Sequence, residues 1–85
     1  MKKGDIVLNK WAGKLNPCRI SIITSVGKEY TDVLYEKNGN LTKGQFFTQD
    51  LKTDKEHFVI IDHLDYEKVI RDKLREIKRS DNNAE

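Results

Sequence analysis

The chain has 85 residues, enough for one core and too few for two, because a domain this small buries only about 60% of the surface its unfolded chain exposes. Charged residues make up 35% of it, yet bases and acids nearly cancel to a net charge of +2, which gives no overall pull toward nucleic acid or membrane. The lone cysteine, Cys18, excludes an intramolecular disulfide and the paired thiols of a zinc ribbon.

The first strand is predicted at residues 4 to 8, Gly-Asp-Ile-Val-Leu, where a turn-type start meets β-branched residues. Asn9 to Pro17 holds Asn, Gly and the only proline, which predicts a loop of about nine residues. Arg19 to Val26, RISIITSV, reads as the second strand. Tyr30–Lys37 and Leu41–Thr48 flank Asn38-Gly39, and this dipeptide takes the positive φ angles of a type I′ turn at least cost, so a β-hairpin is expected. Gly44 in the second arm predicts a bulge or bend. After a polar connection from Lys52 to His57, the unbroken apolar run Phe58-Val59-Ile60-Ile61 implies a strand covered on both faces.

A cover is predicted next in the chain. Between Leu64 and Arg79 the apolar residues Tyr66, Val69, Ile70, Leu74 and Ile77 recur every three or four positions, one side of a helix. Asp62 or Asp65 is the expected N-cap, the last turn is basic, and Glu67/Arg71 and Lys68/Asp72 are spaced to pair along the surface. The stripe suits packing on the Phe58–Ile61 strand, or homodimerisation through the helix. Ser80–Glu85 has no large apolar residue and is expected to fray. Residues 1–62 thus form the β unit, 63–79 the helix and 80–85 the tail.

The pieces Lys3-Gly4-Asp5-Ile6-Val7, Ile20–Gly27, Val33-Leu34-Tyr35 leading into Asn38-Gly39, and Gln49-Asp50-Leu51 before the last strand resemble the SH3-like small barrels, including the KOW and Tudor-like groups. The resemblance covers about residues 3 to 62 and implies a mainly β fold: a five-stranded SH3-like barrel with a C-terminal amphipathic α-helix. It implies no single function, since such barrels host many. The opening KKGDIVLNKW is also similar to the start of MazF-type ribonuclease toxins. There an Arg-Pro pair leads into the second strand and the Arg serves catalysis, whereas here the order is Asn16-Pro17-Cys18-Arg19, leaving Arg19 for that role. Small size and the Lys, Asn and Ile content resemble accessory proteins of phages and prophages.

Residues 1 to 20 hold Lys2, Lys3, Lys10, Lys14 and Arg19 against one acid, Asp5. With Trp11 among them, they form the candidate nucleic-acid-binding set, in which the indole stacks on a base. Trp11 has a second reading, as a plug over the open end of the barrel. The protein-binding candidates are Trp11, Lys10, Lys14, Arg19, an outward Leu34, and Arg71 and Arg75 on the polar face of the helix. His57 and His63 lack the spacing of a metal site, so no metal or cofactor is expected. Neither a secretory leader nor a membrane span is evident. The expectation is a non-enzymatic cytoplasmic module that binds a protein partner, ranked above nucleic acid because phosphate binding favours a larger basic excess.

Overall fold

A computed structural model describes residues 1–64 and 70–83. Five strands, β1 (Asp5–Asn9), β2 (Ile20–Val26), β3 (Tyr30–Lys37), β4 (Asn40–Phe47) and β5 (Phe58–His63), form one antiparallel sheet in the order β4-β3-β2-β1-β5. A short helix, α1 (Thr48–Thr53), joins β4 to β5, and α2 (Ile70–Asn83) ends the described chain. The fold is mainly β with a C-terminal helix, but the sheet is open rather than a closed barrel. β4 and β5 are its two edges, and side chains bridge them: the rings of Phe46 and Phe58 lie 5.5 Å apart, in one cluster with Leu51 of α1.

Strand alternation sorts the core into two layers. On one face Ile6, Ile20 and Ile22 meet Ile70 and Leu74 of α2, with Leu8, Leu34 and Ile77 packed around them. On the other, Val7, Ile23 and Val33 meet Leu51, with Phe46 and Phe58 at the margin. The loop after β4, unremarkable except for one apolar residue in a polar stretch, therefore turns helical because Leu51 closes the second layer. Thr48 anchors its start, bonding Gly27 O through Oγ1 at 2.8 Å and sharing a second 2.8 Å bond with the Thr31 hydroxyl.

The hairpin forms as expected, with Asn38 at φ 53° and Gly39 at φ 85° between the partners Lys37 and Asn40. Gly44 makes no bulge, because the β3–β4 register runs unbroken past it; a Cβ there would stand 3.1 Å from the Tyr35 ring, so the glycine gives that ring room to lie across β4. The register shifts fall elsewhere, at Thr24 in β2 and at Ile61 in β5, each an extra residue opposite a continuous partner.

The bulge at Ile61 also corrects the expected place of the helix. α2 lies over β2 and β3 rather than on Phe58–Ile61, and Ile60 and Ile61 keep 46% and 39% of their surface exposed. The apolar run is not doubly covered: Phe58 turns toward Phe46, Val59 lies opposite Leu8, and the bulge breaks the alternation after Ile60. Since Ile70 and Leu74 are buried on their own sheet, homodimerisation through this stripe would have to displace the core. Asp62 is not an N-cap; it lies in β5 and meets Lys73 Nζ at 3.1 Å. Asp65, Tyr66, Glu67, Lys68 and Val69 lie outside the described residues, as do residues 84 and 85, while the helix continues through residues 80 to 83.

Charged ties clamp α2 at its margins. Lys78 Nζ donates to the Glu36 carbonyl at 2.7 Å and meets its carboxylate at 3.2 Å, and the Gly39 N–H donates to the same carboxylate. Arg19 Nε donates to Asp81 at 2.8 Å. At the start of β1, Asp5 is buried and accepts from the Lys2 N–H, with His63 Nδ1 2.8 Å from its other oxygen. Among the described residues no buried side-chain polar atom lacks a hydrogen-bond partner, and no helix is long and apolar enough to cross a membrane.

Burial pushes the Asp5 and Glu36 carboxyls up. Their hydrogen bonds, to His63 and Lys2 for Asp5 and to Gly39 and Lys78 for Glu36, outweigh it and hold both below the ordinary carboxylate value. A depressed carboxylate stabilises the fold above its unfolded pKa and loses that contribution as pH falls through the folded one. Glu36→Gln is expected to unfold more easily at neutral pH and to lose less further stability than the parent below about pH 4, checked by urea unfolding across pH. Leu74→Ala is expected to cost about 2 to 5 kcal/mol and Ile60→Ala under about 1, by the same measurement at pH 7.

Candidate partner-binding surfaces

The loop after β1 is folded by the last residue of that strand. Asn9 Oδ1 accepts from the Trp11 N–H at 2.9 Å and the Asn9 carbonyl from the Ala12 N–H at 3.2 Å, while the Lys10 N–H reaches the His57 carbonyl at 2.7 Å and extends the β1–β5 ladder by one step. This places the indole over the connection from α1 to β5. Its ring stacks on the His57 imidazole with centroids 4.0 Å apart and planes 25° apart, and Nε1 donates to Asp54 Oδ2 at 2.8 Å. Asp54 Oδ1 meets His57 Nδ1 at 2.9 Å, and the backbone of Asp54 receives the Phe58 N–H. The bonds from His57 and Trp11 hold the Asp54 carboxyl below its ordinary value.

Trp11 is therefore no plug. It stays 66% exposed, one face on His57 and the other toward solvent, outside both core layers. Beyond it in the same loop, Leu15 is 93% exposed. Asp54 and His57 complete the cluster, and no sequence signal joins them to Trp11, since 43 positions separate Trp11 from Asp54. Their spacing of three on a turn was the sole local cue.

The remaining candidates do not gather around this corner. Lys2 and Lys3 precede β1 while Lys10, Trp11 and Lys14 follow it, so a five-residue strand of about 16 Å divides the basic segment into two ends. Lys14 is half-buried and engaged. Arg19 is drawn under the loop with 14% of its side chain exposed, donating to Asp81 and, through Nη1 at 2.7 Å, to the Ala12 carbonyl. It serves as a strut between loop and helix. Leu34 is not an outward contact but a half-buried member of the layer beneath α2, because the helix covers that face of β3. Arg71 and Arg75 are exposed on α2, with Arg71 Nη1 3.4 Å from the Gly39 carbonyl.

A second aromatic pair lies away from these residues. Tyr30 and Phe47 face each other across β3 and β4 with ring centroids 5.2 Å apart, and both are exposed. As alternation requires, Phe46 points to the core and Phe47 away from it. Among the described residues no group of three or more His, Cys, Asp or Glu side chains is placed to hold a metal ion.

No family model, curated protein or solved structure matches this chain.

Asp54 is what holds the indole in place. Asp54→Ala is expected to lower the steady-state anisotropy of the single tryptophan and to raise its acrylamide quenching about twofold, with little change in the unfolding midpoint because the cluster lies outside the core.

Proposed function

We propose that this protein is a small, non-enzymatic binding module, of SH3-like design, whose task is to hold a protein partner, with the Trp11 corner as its anchor. The observation that carries this reading is a large aromatic side chain hydrogen-bonded to Asp54 and stacked on His57 while two-thirds exposed. An exposed tryptophan ordinarily loses rotamer freedom when it binds, and here Asp54 and His57 already hold the indole on a backbone turned by Asn9, so the ordering cost at contact is small. Pre-placed aromatics of this kind are the anchors that dominate protein interfaces.

Charge placement supports a protein over a nucleic acid. Counterion release rewards several bases on one continuous track, and the N-terminal bases stand at two ends of β1, with Arg19 committed to Asp81. The bridging of β4 and β5 by Phe46 and Phe58 supports the SH3-like reading, since these are the strands a barrel of this order would close. The MazF-type resemblance gains no such support, because its one candidate, Arg19, is spent on a carboxylate and a carbonyl.

Trp11 reports on the test directly. Selection of the folded protein against a displayed random-peptide library is expected to enrich peptides that shift Trp11 emission and lose binding in Trp11→Ala, while single- and double-stranded DNA and RNA oligonucleotides leave the emission unchanged at low salt. Saturable, salt-sensitive oligonucleotide binding without any enriched peptide would overturn the proposal.

A further inference from the structure

The two edges of the sheet are unequally defended. β4 carries Lys43 and Gly44 at its middle, which discourage another strand from pairing there, with the exposed apolar residues Leu41 and Phe47 toward its ends. β5 offers Phe58-Val59-Ile60-Ile61 with no charge before Asp62. Its pairing with β1 shows what that edge presents. Lys10 bonds His57, so two steps along Leu8 and Val59 form the next hydrogen-bonded pair, and Phe58 and Ile60 direct their backbone groups away from β1. The Phe58 N–H is taken by the Asp54 carbonyl, leaving the Phe58 carbonyl and both groups of Ile60 at the edge.

Beside this edge lies a groove of about 610 Å³, bounded by Phe58, Val59 and Ile60 of β5 and Leu51 of α1 and reaching past Val7 to Met1 and Val26 at the end of β2. Its charged lining residues are Lys52 and Lys55, both exposed, and among the described residues neither is paired with an acid. A strand edge facing a helix across an apolar slot is the geometry that accepts an extended peptide: the edge supplies main-chain bonds and the slot receives alternate side chains. The lysine rim supplies the sign of the charge.

We propose that β5 and α1 form a slot for an extended partner segment, apolar at alternate positions and acidic where it passes Lys52 and Lys55, which joins the sheet as a strand at Ile60. This rests on the protein-binding reading above and names the partner's chemistry. A second copy of the chain fits less well. Its own β5 would bring one acid, Asp62, already held by Lys73. The bulge at Ile61 limits the regular edge to Phe58–Ile60, so the added strand is short and open-ended pairing of copies is discouraged.

Peptides enriched from the random library are the probe. They are expected to carry carboxylates beside alternating apolar residues, to bind the double variant Lys52→Glu/Lys55→Glu at least about tenfold more weakly, and to slow exchange of the Ile60 amide at least about tenfold when bound. Ile60→Pro, which removes the edge N–H at an exposed position, should weaken binding similarly; the lysine reversals, on exposed side chains, give a reading should that variant fold poorly. Peptides that lose binding in Trp11→Ala but ignore both the reversals and Ile60 would discard the slot and keep the protein-binding reading. Absence of any enriched peptide would discard both. Protection of Ile60 that rises with protein concentration alone would assign the edge to a second copy and overturn the proposal.

Discussion

The double burial of β2 is the constraint on which the rest of the structure depends. This strand lies at the centre of the sheet, and successive residues face opposite layers: Ile20 and Ile22 toward α2, Ser21 and Ile23 toward α1 and the edge phenylalanines. Each layer is covered by a helix, and the second also by the edge phenylalanines. α2 covers one with Ile70 and Leu74, and α1 closes the other with a single leucine. The unequal covers explain the unequal exposure: the layer under six residues of helix is open toward β5, and there the apolar surface remains wet.

The polar ties belong to the same constraint. Helix α2 has few apolar positions to spend, and its register on the sheet is fixed at the margins by Lys73 with Asp62, Lys78 with Glu36 and Arg19 with Asp81. Surface pairs of this kind add little free energy individually. Glu36 differs because it is buried and also caps the hairpin through the Gly39 N–H, so the β3–β4 turn and the helix are held by one carboxylate.

Much of this was legible in the sequence, and what was not has a physical reason in each case. Strand positions, the Asn38-Gly39 turn and, among the described residues, the helical positions Ile70, Leu74 and Ile77 are local patterns, and each emerged where its residues stand. Gly44 suggests a bulge or bend in the sequence because sequence does not show a neighbouring ring; it is small on account of Tyr35. Phe58–Ile61 looks doubly covered in the sequence because an apolar run looks alike whether it is buried or bulged, and Ile61 is the extra residue that decides between them. Arg19 and Leu34 looked like surface for want of the partners that α2 brings, Asp81 above one and Leu74 near the other. Trp11 stands out in the sequence as either a contact or a plug, yet Asp54 and His57, which hold it, come from the far side of the chain.

That last case is what the proposed role of the Trp11 corner rests on. Hydrophobic burial explains the positions of Ile6, Ile22, Val33 and Leu74, but it does not explain a tryptophan whose ring is held by Asp54 and His57 while its other face stays in water. Folding alone would gain more by turning that ring inward, since a buried aromatic contributes well over 100 Å² of apolar surface, at about 25 cal/mol per Å². Asn9 directs the backbone away from that solution at the first step of the loop, and Asp54 then secures the ring in its outward place. Such local choices against burial concentrate where a surface is kept for a partner. The undefended stretch of β5 begins one residue after His57, on which the ring rests, so the anchor and the open edge share a single turn of chain. A partner seated on the indole would meet that edge without crossing any other element.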